Sequence, residues 1–233
     1  MKQLSAFLLL LPFAAQAQVG GRAAFPFLSL PPSAQLAASG GMNASARSAD
    51  PTQLYGSPAL LNADMDHAAA ISYVAYVGDI KQSTAAYVFN SQKKGRFGLG
   101  FTYLNYGDLQ SFDAAGNSLG TFAVNEYAFT GADSYTKGKF TFGLAAKLAV
   151  SSIAENRAVA LAGDAGVLFK PSAQGFTVGF VVKNAGYMLK PYLASRRAPL
   201  PVDVQLGTTV KPEHMPLRFT LTAHHLQQWN IQY

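Results

Sequence analysis

Residues 140–150 alternate along their whole length. Phe140, Phe142, Leu144, Ala146, Leu148 and Val150 share one parity, and Thr141, Gly143, Ala145, Lys147 and Ala149 share the other. A period of two means an extended strand, whose successive side chains leave opposite faces. A strand of about ten residues, greasy on one face and small, polar and charge-tolerant on the other, has the length and pattern to cross an outer membrane in a closed barrel. A strand of a soluble sandwich carries the same pattern, so the rest of the chain must decide between them.

Charged residues are 13% of the 233-residue chain, about half the globular average of roughly 25%. This shifts the balance toward a membrane only modestly, because a domain of this size can bury a large core. The N-terminus gives the address. Lys2, the apolar run Leu4–Ala15 and the A-x-A site Ala15-Gln16-Ala17 read as a secretory signal peptide over 1–17, cut between Ala17 and Gln18. No other run approaches the ~20 apolar residues of a membrane helix, so a membrane-borne mature chain would cross as strands. There is no cysteine, which leaves strand ladders and packing to hold the fold. The net charge is +6, and Lys93, Lys94, Arg96, Lys137, Lys139 and Lys211 sit in or beside expected turns, with Arg196 and Arg197 in a longer loop. An exported protein seldom meets nucleic acid; solvated turns are the plain reading, and contact with anionic lipid or an acidic partner the sharper one.

Residues 18–67 carry Gly20-Gly21, Phe25-Pro26-Phe27, Pro31-Pro32, Gly40-Gly41 and Tyr55-Gly56-Ser57-Pro58. Pro and Gly at this density allow only short helical turns, near Ser33–Ala38 and Asp50–Leu54. A mostly irregular segment this long, with Phe25, Phe27, Leu28, Leu30, Leu36, Leu60 and Leu61 to bury, is expected to pack as a plug or periplasmic lid.

From residue 68 to 233 strands and connections alternate, with about nine strands expected over 68–77, 83–90, 96–106, 121–133, 139–152, 158–170, 175–184, 202–211 and 217–226. Short connections at 90–95, 134–138, 171–175 and 212–216 alternate with others that include the long 107–120 and 185–201, the asymmetry of an outer-membrane barrel with periplasmic short turns. Phe176, Val178 and Phe180 oppose Thr177, Gly179 and Lys183, and Phe219 and Leu221 oppose Arg218 and Thr220. The face with the charges is expected to be the lumen, and the face of Phe, Val and Leu to meet lipid. Tyr103, Tyr106, Tyr187 and Tyr192 suit an aromatic girdle at strand ends. The fold expected is all-β: an antiparallel up-and-down transmembrane barrel with an N-terminal plug. An odd strand number is foreign to bacterial single-chain barrels and points to a chain cut short.

No catalytic constellation stands out. The S-x-x-K matches Ser91–Lys94 and Ser134–Lys137 lie in expected turns, without the K-T-G or S-D-N that such a site needs. His224-His225 are tempting as a metal pair, but neighbours on a strand point to opposite faces and do not readily share an ion. Asp203, Arg218 and Lys147 are candidates for a lumenal charge network, more often structural than a transport path. No cofactor or metal is implied.

Several stretches, read in order, form a pattern: Phe27-Leu28-Ser29-Leu30-Pro31 with Ser33-Ala34 and Gly40-Gly41, Pro58-Ala59-Leu60-Leu61-Asn62, and Tyr103-Leu104-Asn105-Tyr106-Gly107. They continue with Lys183-Asn184-Ala185-Gly186, Lys190-Pro191-Tyr192, Pro199-Leu200-Pro201, Gln205-Leu206-Gly207 and Thr222-Ala223-His224-His225-Leu226-Gln227-Gln228-Trp229. In this order they resemble the PorQ family of type IX secretion system outer-membrane proteins, whose members resemble FadL-type barrels. The family usually continues well beyond the Trp229 region, and Ser57 stands where FadL-like relatives often place Asn. The resemblance implies a non-enzymatic scaffold in the outer membrane that anchors PorZ in the attachment complex with PorU and PorV, which joins exported cargo to lipopolysaccharide.

On that reading the partner docks on the loop 185–201, with Tyr187, Met188, Leu189, Lys190, Tyr192, Arg196 and Arg197 as candidate contacts, an aromatic and Arg mixture enriched at interfaces. The alternative is a FadL-type transporter of hydrophobic molecules gated by residues 18–67. A soluble periplasmic β-domain is the third possibility.

Overall fold

The structure is a computed structural model and describes residues 23–228 except 92–94, 172–174, 193–197, 213 and 216. The signal peptide with its cleavage pair Ala17 and Gln18, and Lys93, Lys94, Arg196, Arg197 and Trp229, lie outside the described residues. Nine strands occupy the expected segments: β1 (Ala68–Ala75), β2 (Lys81–Ser91), β3 (Gly95–Phe112), β4 (Ser118–Lys137), β5 (Phe140–Ile153), β6 (Asn156–Phe169), β7 (Phe176–Lys190), β8 (Asp203–Val210) and β9 (Phe219–Ala223). They form one antiparallel sheet in chain order. β1 and β9 are its two edges, and barrel closure is not observed among the described residues.

The register sorts side chains into rows of like character. Ile71, Ala85, Phe101, Phe129, Leu148, Leu161 and Tyr187 are successive partners across β1–β7, and Ile71, Phe129 and Leu148 are 87%, 56% and 42% exposed. One residue along, the row Thr84, Thr102, Ala128, Ala149, Ala160 and Met188 points the other way and is buried. The large apolar side chains are therefore outside and the small and polar ones inside. Away from strand ends, Asp108 and Asp133 are the charged side chains on the outward face among the described residues.

The inner face is covered by residues 25–67, which form a five-residue helix α1 (Ala34–Ala38) and 3₁₀ turns at Pro26–Ser29, Pro51–Tyr55, Pro58–Leu60 and Ala63–Met65. Four of these begin on a capping residue: Ser33, Asp50, Ser57 and Asn62 side chains accept backbone N–H groups of Leu36, Thr52, Ala59 and Asp64. These caps supply the hydrogen bonds that a chain without ladders otherwise lacks. The apolar residues expected to need cover are covered: Phe25, Phe27, Leu36, Leu60 and Leu61 are buried, while Leu28 and Leu30 pack against the same core.

Wall glycines let the two layers touch backbone to backbone. A Cβ at Gly179 would overlap the Ala44 carbonyl, one at Gly143 the Pro58–Ala59 peptide, and one at Gly166 the Ser57 hydroxyl. Hydrogen bonds fasten the seam: Thr177 Oγ1 donates to Ser45 O (2.7 Å), Ser45 and Thr209 hydroxyls meet at 2.8 Å, and Arg218 Nη1 donates to Arg47 O (2.7 Å).

Three expectations are corrected. Residues 107–120 are not a long loop: β3 and β4 continue as a paired hairpin whose tip is only 113–117. A bulge follows Asn105, where Gly107 takes φ 72°, and Asp113 closes the tip by accepting from Ala115 N, Asn117 N and Asn117 Nδ2. Those bonds hold the exposed Asp113 carboxyl below its ordinary range. The expected contrast of short turns with long loops is thus reduced: β3–β4 and β5–β6 turn within 113–117 and 154–155, while 191–202 between β7 and β8 stays a long connection. Finally, Ser134 sits within β4 rather than in a turn.

A Gly179→Ala substitution is expected to lift residues 43–46 off the wall at a cost of about 1–3 kcal/mol, read as faster proteolysis of the N-terminal segment and a lower denaturant midpoint. Gly131→Ala, where an added Cβ meets nothing within 4 Å, should leave both unchanged.

Candidate functional site

The charged groups buried on the inner face gather where β5–β8 meet the plug. β7 bulges against β6 at Asp164, which stands opposite both Lys183 and Asn184. Asn184 has φ 55°, a left-handed conformation that Asn tolerates better than most residues. The bulge turns consecutive side chains of β7 inward and leaves an N–H without a ladder partner. Asp164 supplies that partner, its Oδ1 accepting from Asn184 N at 2.8 Å. Lys147 completes the group, with Nζ 2.7 Å from Asp164 Oδ2 and donating to Asn184 Oδ1 at 2.8 Å. Asn184 Nδ2 reaches on to Pro201 O (3.2 Å).

The polar chain continues into β8. Asp203 pairs in register with Lys183, accepts from Gln205 Nε2 at 2.6 Å and from His225 N at 2.7 Å. Lys147 and Lys183, with Gln82, Thr102, Thr130 and Tyr55, line a cavity of about 20 Å³ under the plug, room for little more than one water. A second polar contact lies further along the seam, where Tyr106 donates to Glu126 Oε2 (2.7 Å).

Of the charges expected to form one network, Lys147, Asp203 and Arg218 are not brought together. Lys147 pairs with Asp164, Asp203 with Gln205 and the His225 backbone, and Arg218 with the plug carbonyl of Arg47. Asp164 is not marked by the sequence, and Asn184 stands out there only as part of the stretch Lys183–Gly186, without a polar role. Their signal was a charge and an amide on the small-residue face, but pairing depends on a bulge that periodicity does not show.

His224 and His225 do not point apart. β9 ends at Ala223, and His225 turns the chain with φ 57°. The alternation of a strand no longer applies, and the two Nδ1 atoms meet.

The candidate docking residues are divided. Tyr187, Leu189 and Lys190 are exposed, but on the outer part of β7 rather than in a loop. Met188 is buried with Phe25, Phe27 and Leu200, and Tyr192 packs against that cluster. Arg196 and Arg197 lie outside the described residues. Tyr106 likewise faces inward to Glu126 and not to a girdle, whereas Tyr103 stacks on Tyr127 on the outward face at 5.0 Å.

No protein-family model and no curated protein matches the chain.

Removing either partner of the Lys147–Asp164 pair strands a buried charge. Lys147→Met and Asp164→Asn are each expected to destabilise the fold by about 3–5 kcal/mol, and the double variant by less than the sum of the two, measured by denaturant unfolding. A pH dependence follows from Tyr55, whose hydroxyl donates to Ala85 O (2.8 Å) and whose phenol is pushed by burial up to about 12. A raised acid favours its protonated form in the folded state. Its contribution is therefore complete below the ordinary value near pH 10 and is lost as pH rises through about 12. Release of the plug in that window, followed by proteolysis, should be weaker in Tyr55→Phe.

Proposed function

We propose that this chain forms the wall and plug of an outer-membrane β-barrel that serves the type IX secretion system as a non-enzymatic scaffold, holding a partner at the cell surface. The observation that carries the membrane reading is the inverted sheet. Leu144, Phe129, Phe142 and Leu148 are exposed in contiguous rows, while Lys147, Asp164, Glu126 and Gln205 are buried. Water penalises large contiguous apolar surfaces, and soluble proteins seldom present them; lipid rewards this arrangement. In lipid the free edges of β1 and β9 must be paired, so the reading entails that neither edge is left open in the membrane.

The scaffold reading is favoured over a conduit because the plug packs onto the wall backbone to backbone at Gly143, Gly166 and Gly179. The stretches that resemble the PorQ family also fall on constrained positions. Pro58-Ala59-Leu60-Leu61-Asn62 seats the plug on β5 and β6, and Lys183-Asn184-Ala185-Gly186 contains the bulge. Its neighbours in this reading are outer-membrane lipid, lipopolysaccharide and the attachment-complex proteins PorZ, PorU and PorV.

Two experiments test this. Leu148→Arg should reduce folding into bilayers by about 2–4 kcal/mol, read from the fraction that folds into vesicles across a urea series; little effect would favour a water-facing surface. Detergent-solubilised pull-down from native cells should recover the surface-attachment proteins. Uptake of a hydrophobic ligand without any such partner would sink the scaffold in favour of a transporter.

A further inference from the structure

Asp203, His224 and His225 each offer a ligand atom, and these atoms lie within 4.8 Å of one another. From this cluster we infer that the chain holds a first-row divalent transition-metal ion, Zn²⁺ being the probe of choice, where β8 meets the end of β9. Two imidazole nitrogens and one carboxylate suit such ions, whereas Ca²⁺ and Mg²⁺ favour all-oxygen sets. Tetrahedral Zn²⁺ with bonds of ~2.0–2.1 Å holds its donors roughly 3.3 Å apart. His225 Nδ1 and Asp203 Oδ1 are already 3.7 Å apart, and the two Nδ1 atoms need only part slightly.

The chemistry of the donors carries the argument further. Two Nδ1 atoms turned toward each other are satisfied by one N–H···N hydrogen bond or by a cation between them, and the Asp203 carboxylate beside them completes a donor set that suits the cation. The left-handed conformation of His225, uncommon in a non-glycine residue, is what brings the second imidazole in.

The site is also held in place from outside. Gln205 Nε2 fixes the second carboxylate oxygen of Asp203 (2.6 Å), and His225 N fixes the first. The turn after β9 is tied to β8 by Leu226 N donating to Val204 O (3.1 Å), Val204 N to Gln227 Oε1 (2.9 Å) and Gln227 Nε2 to Val202 O (2.6 Å). Outer-shell bonds of this kind set the orientation of metal ligands. His224 borders an open groove of about 570 Å³, lined by Gln35, Ser39, Thr220 and Thr222, through which an ion reaches the site. Three protein donors leave a fourth position for water or a ligand brought by another molecule.

The test is Zn²⁺ titration of the tag-free full chain, folded in detergent, by calorimetry at neutral pH. The expected result is saturable binding of about one ion per chain, weakened at least about tenfold by His224→Gln and by His225→Asn, the latter keeping a residue that tolerates the left-handed turn, and unchanged by His214→Gln. X-ray absorption of the zinc-loaded wild-type chain, which needs no variant to fold, should show two imidazole donors. Absence of saturable binding, binding indifferent to both histidine variants, or a zinc shell without imidazole would each overturn the site and leave a shared proton as the occupant.

Discussion

The contact on which this structure depends is peptide against peptide. Plug residues 44–45 and 57–59 lie on β5–β8 at Gly143, Gly166, Gly179 and Gly207, where even a methyl group collides or crowds. That approach excludes large side chains at these four positions of the inner face, and most of the sheet's Phe and Leu side chains occupy the outer one. Much of what lies under the plug is small or polar, and each buried polar group needs a partner. Thr177, Ser45, Thr209, Lys147, Asp164 and Asn184 find theirs. Inversion of the sheet and its buried polar belt therefore meet at one seam.

The strands were legible because period two needs no tertiary information. Phe140–Ile153 alternates as expected, with the Gly and Lys face inward. The plug's need for burial was legible from Phe25, Phe27 and Leu60 among its prolines. Its seat on the wall was not, because that seat is built from glycines that read locally as turn or weak-strand residues. The same bias turned Gly107, Gly116 and Gly120 into a loop, although β3 and β4 pair through most of that stretch.

The other differences share one cause, which is a break in alternation. At Asn184 a bulge sends two consecutive side chains inward, and beyond it Met188 enters the core while Tyr187 stays out. At Tyr106 a bulge follows Asn105 and the hydroxyl faces Glu126. At His225 a positive φ ends the strand and folds two imidazoles onto Asp203. Each break is non-local in origin, since it is satisfied by a group on another strand, and each places the chemically interesting side chains. Regular alternation builds the wall; its interruptions build the sites.

The central claim is that the apolar face of this sheet meets lipid while the small face meets the plug. The chain has no cysteine, so single cysteines at Leu148 and Ala149 can be spin-labelled without background and compared in bilayers. The account predicts that the label at 148 is relaxed by lipid-soluble oxygen and shielded from a water-soluble nickel chelate, and that the label at 149 is shielded from both. A label at 148 that is open to the nickel chelate would contradict it.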